Sequence, residues 1–236
     1  SDIVISMVVD GEQVASLLLG KGGVIESARP GLLAVDMSTI APPDARRIGS
    51  ALGGRGVAML DAPVTGSSPR AEEGSLTIMA GGPEEEFARA QPVLSAMGSL
   101  ILHVGVLGQG QMLKLINNAV AAANAAAVAE ALLLASATGI DLDAFKQIVS
   151  SGSGASTQLQ MKAEPMRTHD YTTLFKTAHM LKDVRLCLEE AQAAGVPFPS
   201  AAHARDLLSA TMGRGHGDDD YAAIIEAAEG LAGRRL

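Results

Sequence analysis

The sequence predicts an α/β domain followed by an all-helical domain, with one long helix joining the two. Short, β-branched runs alternate with helical patterns as far as about Val106, which is typical of a layered α/β sheet. No convincing strand follows Gly108, and a long run of small residues with helical character begins there. We therefore place the domains at residues 1–106 and 107–236.

The five predicted strands are short and apolar at nearly every position, as strands buried on both faces of a mainly parallel sheet are. They are residues 2–9, 32–36, 57–61, 76–80 and 100–104. Helical spacing between them predicts helices at 12–19, from the loop 38–44 to about residue 52, and at 83–97, so that helices cover both faces. The segment 62–74 contains two prolines, two glycines and three hydroxyl residues, and it is predicted to be a loop.

Helices separated by glycines account for the second domain. They are predicted at 111–138, 142–150, 156–162, 177–194, 200–212 and 219–231. The first of these is rich in alanine and apolar all round, with Asn124 and Glu130 as interruptions. This pattern favours a helix buried on several sides over a membrane span.

The composition limits the possible partners and compartments. The chain has 236 residues, a net charge of −8 and 47% hydrophobic residues, which indicates a folded protein and argues against a nucleic-acid partner. A single cysteine, Cys187, excludes an internal disulfide and a cysteine zinc site, and we expect it to be a small buried hydrophobe. The lone cysteine fits a reducing, cytoplasmic compartment, and we expect no signal peptide, because Ser1-Asp2 leads directly into a strand.

The histidines suggest no metal site, because their positions show no ligand spacing. His216 lies among glycines and the aspartates 218–220, and we interpret this segment as a solvated loop rather than a cation site. On the residues alone, Lys182 and Asp183 read as an ion pair on the surface.

Two features of the sequence point to chemistry. Lys114 and Asn118 are four residues apart, so on a helix they share one face; a lysine there can pass a proton to a carbonyl oxygen that an asparagine holds. The loop that follows the strand at 57–61 carries Thr65, Gly66 and Ser67, and a hydroxyl beside glycine suits a small anion such as a carboxylate. Each feature is also compatible with an ordinary helix start or surface turn.

Four segments together resemble the β-hydroxyacid dehydrogenase family, whose members include 3-hydroxyisobutyrate dehydrogenase and tartronate semialdehyde (2-hydroxy-3-oxopropionate) reductase. They occur in the family's order and span nearly the whole chain. The segments are DAPVTGSSPRAEEGSLTIMAGG at 61–82, GVLGQGQMLKLINN at 105–118, Glu130-Ala131-Leu132 with Gly139-Ile140-Asp141, and Phe175-Lys176-Thr177 with Lys182-Asp183.

The resemblance implies a Rossmann-like fold for the first domain, NAD or NADP as cofactor, and a role for each matching residue. Lys114 would be the catalytic acid and base, and Asn118 would orient it and the substrate oxygen. The substrate carboxylate would be held by Thr65, Gly66 and Ser67. Met7, Val8 and Thr39 would lie along the cofactor, and Lys182 would close over its nicotinamide end.

The chain departs from the family pattern in two places. The family usually shows Ser-Gly-Gly where this sequence has Thr65-Gly66-Ser67, and the changed side chains leave the substrate open. The family also begins with a strand, a G-x-G-x-x-G turn and a helix that seat the pyrophosphate, whereas this sequence starts at what resembles the fourth strand. We therefore expect a truncated dinucleotide-binding domain, and the choice between NAD and NADP stays open.

The favoured hypothesis is an NAD(P)-dependent oxidoreductase that interconverts a small β-hydroxy acid, 3-hydroxyisobutyrate-like or glycerate-like, and its semialdehyde. One alternative is an imine-reductase-like enzyme of the same architecture, which Lys114 disfavours. Another is a non-catalytic, oligomeric helical scaffold, which the missing glycine turn favours. We expect a homodimer or homotetramer, because the alanine-rich helix needs more burial than one copy offers. We expect no membrane partner.

Overall fold

The computed structural model describes residues 1–236 as two units, residues 1–115 and 116–236. The first unit is built on one sheet of six strands with helices on both faces, and the second unit is helical. The predicted fold class, a Rossmann-like α/β part followed by an all-α part joined by a long helix, is confirmed.

All five predicted strands are present, and a sixth, two-residue strand lies in the segment that the sequence predicts to be a loop. The strands are β1 Ile3–Ser6, β2 Leu33–Asp36, β3 Ala58–Asp61, β4 Val64–Thr65, β5 Leu76–Gly81 and β6 Gly98–Gly105. Their order is β1-β2-β3-β5-β4, with β6 paired to β5. β1, β2 and β3 are parallel, as are β5 and β6, while β5 runs antiparallel to β3 and β4.

The parallel register brings three strand ends side by side. Ser6 of β1 is opposite Asp36 of β2, and Asp36 is opposite Asp61 of β3. β1 is shorter than predicted, because the Val8 amide leaves the ladder to bond the Ser38 side chain and Asp10 caps the next helix. The polar residues at this edge of the sheet are therefore neighbours although they are distant in sequence.

The helices of the first unit occupy both faces of the sheet. They are α1 Gly11–Leu19, α2 Val24–Ser27, α3 Pro42–Gly53, α4 Ser67–Glu72, α5 Glu84–Leu94 and the start of α6 Gln109–Ala137. One apolar cluster packs α1 and α3 against one face, and a second packs α5 against the other. α2 and α4 are not predicted from the sequence, since each is short and lies in a turn-rich segment.

The second unit contains the rest of α6 and five further helices. These are α7 Leu142–Ser151, α8 Thr157–Thr168, α9 Thr177–Ala193, α10 Pro199–Gly213 and α11 Ile224–Ala232, the last preceded by a 3₁₀ turn at Tyr221–Ala223. α8 is longer than predicted: it continues through Pro165 and ends at His169, which caps it in the left-handed conformation. Cys187 is buried in α9, as predicted.

α6 has the length and hydropathy that a membrane span requires, with a mean hydropathy of 1.7 over its most apolar window. Half of that window is buried within the protein, as in core helices that pass the same test. Length and composition therefore do not distinguish it from a core helix, and the absence of a membrane partner remains a prediction.

Candidate active site

A buried polar network joins the carboxyl ends of β1 and β2. The hydroxyls of Ser6 and Ser38 both donate to Asp36 Oδ1, at 2.8 and 2.7 Å, and the Val8 amide donates to Ser38 Oγ at 2.9 Å. All three side chains of the network are buried. Because each chain segment is fixed by the other, the backbone at Met7-Val8 and at Ser38-Thr39 is held in one arrangement.

The predicted cofactor residues of the first unit lie on either side of this network. Met7 is 66% exposed, an unusual state for a methionine that follows a buried strand end, and Val8 and Thr39 are half-buried. An accessible apolar surface at the carboxyl ends of parallel strands fits one face of a nicotinamide ring. The residues present are therefore compatible with the cofactor that the sequence predicts.

Asp61, at the end of β3, caps the beginning of α6. Its Oδ1 accepts the amide of Gly108 and its Oδ2 accepts the amide of Gln111, both at 2.7 Å. Burial raises the pKa of Asp61 to about 6, opposed by the two amides and reinforced by the nearby Asp36 carboxylate. A helix start carries four amides without helical partners, and the carboxylate satisfies two amides there.

Gln111 makes a second attachment of α6, through its side chain. Its Oε1 accepts the Ile40 amide at 3.0 Å, and its Nε2 donates to the Ser38 carbonyl at 2.8 Å. The side chain is completely buried. Neither Asp61 nor Gln111 was predicted as a site residue; the available signals are that Asp61 ends a predicted strand and that Gln111 begins a predicted helix.

Lys114 lies on α6 one turn after Gln111 and is 7% exposed. A lysine is seldom buried to this extent without a functional or structural reason. The helix that carries it is anchored at its first turn by both Asp61 and Gln111. The position of Lys114 relative to β2 and β3 is therefore fixed by buried contacts.

The predicted substrate residues lie where β4 passes into α4. Thr65, Gly66 and Ser67 are half-buried, and Gly66 has φ 139°. Ser67 has φ 58°, in the left-handed region where glycine is favoured and other residues are uncommon. This explains physically why glycine suits position 67, which the sequence showed only as a departure from the family pattern.

In the second unit, Asn118 and Lys182 converge on one carboxylate. Asn118 Nδ2 donates to Asp183 Oδ2 at 2.6 Å, and Lys182 Nζ lies 3.2 Å from Asp183 Oδ1. Asp183 is 1% exposed, so the interpretation of a surface pair is wrong for the aspartate. Its spacing from the apolar residues Met180, Val184 and Cys187, on the buried face of α9, is the sequence signal that could have revealed this.

The segment around His216 is also less solvated than the sequence predicts. His216 Nδ1 pairs with Asp219 at 2.8 Å, and Asp218 pairs with Lys176. Asp220 is buried and forms an ion pair with Lys162. The three aspartates thus have separate partners rather than a common ligand.

One group of side chains has the composition of a metal site. His169, Glu226 and Glu229 have potential ligand atoms within 4.8 Å of one another, although they are far apart in sequence. These atoms already have protein partners: His169 Nε2 bonds Glu229, the Tyr171 hydroxyl donates to Glu226, and the Leu236 amide donates to Glu229. The guanidinium of Arg235 lies 3.6 Å from Glu226. We interpret the group as a structural brace of the C-terminus.

Comparisons with known proteins agree on one family. A family described as the NAD binding domain of 6-phosphogluconate dehydrogenase matches residues 1–108, and one described as the NAD-binding region of NADP-dependent 3-hydroxyisobutyrate dehydrogenase matches 108–228. A 2-hydroxy-3-oxopropionate reductase from Escherichia coli is 36% identical over 100% of this chain and 81% of its own length. A 3-hydroxyisobutyrate dehydrogenase from Pseudomonas aeruginosa is 37% identical over 89% of this chain and 72% of its own.

Solved structures agree with these relatives. A 3-hydroxyisobutyrate dehydrogenase from Mycobacterium tuberculosis, solved with L-serine, superposes with a TM-score of 0.88 at 33% identity, over 97% of this chain and 79% of that one. An imine reductase from Pseudomonas sp. has a TM-score of 0.55 at 19% identity, over 97% of this chain and 80% of that one, and shares the fold alone.

Proposed function

The chain belongs to the β-hydroxyacid dehydrogenase family and is an NAD(P)-dependent oxidoreductase, and we propose that Lys114 is its general acid and base. The reaction interconverts a small β-hydroxy acid, 3-hydroxyisobutyrate-like or glycerate-like, and its semialdehyde. The names of the relatives support this substrate class. The observation that carries the proposal is a buried lysine on a helix whose first turn is attached to the ends of the parallel strands.

The proton step belongs to the lysine side chain. During reduction Lys114 Nζ gives a proton to the aldehyde oxygen, and during oxidation it takes the proton from the hydroxyl. The nicotinamide, when bound, supplies the hydride for reduction and accepts it for oxidation. Fixing the lysine before the substrate arrives lowers the entropic cost of alignment.

The segment at the β4–α4 junction supports a carboxylate-binding role. Thr65 and Ser67 offer hydroxyls, and the positive φ values of Gly66 and Ser67 turn the local backbone so that successive amides can face one anion. Arg70 packs along Gly66 on the same segment: a Cβ on the glycine would lie 2.7 Å from Arg70 Cβ. We propose that Thr65, Gly66 and Ser67 hold the substrate carboxylate.

Met7, Val8 and Thr39 are proposed to hold the nicotinamide end of the cofactor, because they stand at strand ends fixed by the Ser6–Asp36–Ser38 network. In the second unit, Asp183 orients the Asn118 amide and balances the charge of Lys182. The roles of Asn118 toward the substrate oxygen and of Lys182 toward the cofactor stay predictions.

The partners and the compartment are proposals as well. Exposed apolar side chains in the second unit, among them Val120, Leu134 and Ile148, support a homodimer or homotetramer. A single buried thiol is compatible with the cytoplasm. Light scattering after gel filtration measures the oligomeric state, and a mass equal to one chain would contradict the proposed homodimer or homotetramer.

Replacement of the lysine tests the mechanism. We expect Lys114→Ala to lower kcat by about 10²–10⁴-fold, because the proton donor is lost, with a much smaller change in KM. Nicotinamide absorbance measures turnover of 3-hydroxyisobutyrate and glycerate with each cofactor. Lys21→Ala, which removes an exposed lysine, is the matched control and should keep wild-type rates. Retained turnover in Lys114→Ala would contradict the assignment, and turnover of a cyclic imine instead would favour the imine-reductase alternative.

A further inference from the structure

The first turn of α6 is attached to the sheet by contacts that leave no spare room. The amides of Gly108 and Gln111 bond Asp61, and a Cβ added at Gly110 would lie 2.4 Å from the Met79 carbonyl oxygen. That distance is far below a normal contact, so the backbone of α6 lies directly against β3 and β5. A helix seated this closely cannot shift without breaking several buried contacts.

The side chain of Gln111 connects this helix start to a different segment. Its two partners are the carbonyl of Ser38 and the amide of Ile40, the residues immediately before and after Thr39. A carboxamide can donate and accept at the same time, which is what these two backbone groups require. Gln111 therefore fixes the backbone on both sides of Thr39.

The same residue is one turn before Lys114 on α6. Thr39 is the proposed cofactor residue of the β2–α3 loop, and Lys114 is the proposed acid and base. One buried side chain thus lies between the segment that faces the hydride carrier and the helix that carries the proton donor. Hydride and proton transfer require both groups in register, and a misplacement of about 1 Å can cost 10²-fold in rate.

We propose that Gln111 is a positioning residue, which holds the Thr39 loop and the Lys114 helix in the geometry that the reaction needs. The inference rests on the proposed function, because it takes Lys114 as the proton donor and Thr39 as a cofactor contact. Gln111 itself touches neither substrate nor reacting atoms in this assignment. Its effect passes through two backbone hydrogen bonds and the helix turn that follows.

Gln111→Met tests the proposal, because methionine has a similar size and no hydrogen-bonding amide. We expect kcat to fall by about 10–100-fold and the affinity for the reduced cofactor, measured by nicotinamide fluorescence, to fall several-fold. Gln91→Met, which changes an exposed glutamine on α5, is the control and should alter neither. Wild-type kcat and wild-type cofactor affinity in a folded Gln111→Met variant would overturn the proposal.

Gln111→Glu gives a readout that a merely structural role would not move. A carboxylate would face the Ser38 carbonyl and lie near Asp36 and Asp61, so ionisation is unfavourable and the protonated acid restores the lost donor. Lys114 lies one turn away on the same helix, and Glu130, the other charged residue of α6, lies much further along it. We expect the ratio of the variant's kcat to that of the wild type to rise as the pH falls.

The two proposals fail in different ways. If Gln111→Glu shows a constant ratio to wild type across pH, its side chain does not set the geometry and the positioning role is wrong. If Lys114→Ala retains turnover, the proposed function fails whatever Gln111 does. An inactive Lys114→Ala beside a fully active Gln111→Met contradicts the positioning role alone. Should Gln111→Met not fold, the pH dependence of Gln111→Glu decides.

Discussion

Two buried aspartates, one in each unit, are stabilised in different ways. Asp61 is completely buried at the end of β3, and each of its oxygens accepts one backbone amide of α6. Asp220 is 2% exposed and lies 2.7 Å from the ammonium of Lys162. Asp220 also accepts the amides of Leu174, Phe175 and Ala222. One carboxylate is paired with a cation and the other relies on amides alone.

The Lys162–Asp220 ion pair holds parts of the fold together, whereas the protonation of Asp61 can change with pH. A buried acid that pairs with a lysine and several amides ties distant segments together, here α8 to the turn before α11. Ionisation of a buried acid costs more free energy when no cation is paired with it, and burial accordingly raises the pKa of Asp61 to about 6. The unfavourable carboxylate stands next to the proposed catalytic helix, where strain and perturbed groups are commonly found.

The largest expected effect concerns the ion pair between Lys162 and Asp220. Lys162→Met removes the cation and leaves Asp220 buried without its charge partner, so we expect a loss of about 3–5 kcal/mol in the free energy of unfolding. Lys176→Met removes the exposed partner of Asp218 and should cost at most about 1 kcal/mol. Denaturant titration of both variants measures the difference. Equal losses would mean that the Lys162–Asp220 pair contributes no more than a surface pair.

A smaller effect concerns the protonation of Asp61. The pKa of Asp61 is about 6 in the folded chain and 3.8 as the reference for the unfolded chain, so between these values the folded state binds more protons. Its contribution to stability is complete below about pH 4 and disappears as the pH rises through 6. We expect wild type to lose about 2–3 kcal/mol relative to Asp61→Asn between about pH 4 and pH 7.

Denaturant titrations of wild type and Asp61→Asn across this range measure the effect. The absolute stability of Asp61→Asn will also differ, because asparagine cannot accept both amides equally well. The comparison therefore uses the slope of the difference with pH. Parallel curves would show that Asp61 keeps the same protonation in both states.

The smallest effect concerns the backbone. Ser67 and His169 are the two non-glycine residues with positive φ, but His169 ends α8, where a left-handed residue is ordinary, whereas Ser67 begins α4. We expect Ser67→Gly to raise the free energy of unfolding by about 0.5–1 kcal/mol, since relief of the strained φ exceeds the entropic cost of glycine. Ser68→Gly, at a neighbouring helical position, should lower it by about 0.5–1 kcal/mol. A loss at both positions would show that Ser67 is not strained.

The sequence predicted what depends on local pattern. The buried strands follow from runs such as the one around Val35, and the helix of Lys114 follows from the glycines and small residues around it. The site contacts were out of reach, because Gln111 bonds residues 71 and 73 positions away and Asp61 bonds residues 47 and 50 positions away. The residues alone suggested proton transfer for Lys114 and anion binding for Thr65, and the resemblance added the predicted cofactor contact of Thr39. The surface interpretation of Asp183 was wrong, because two adjacent charged residues were weighed without the apolar spacing of the buried face of α9.

The tight seat of Gly110 also limits how this protein can change over generations. Every substitution of a glycine introduces a side chain, and a Cβ at this position would meet the Met79 and Asp61 carbonyl oxygens at 2.4 and 2.8 Å. No single mutation there is mild. Substitutions that leave the fold intact are therefore expected away from this contact, for example at the exposed Arg70, while the packing of the first turn of α6 against β3 and β5 stays unchanged.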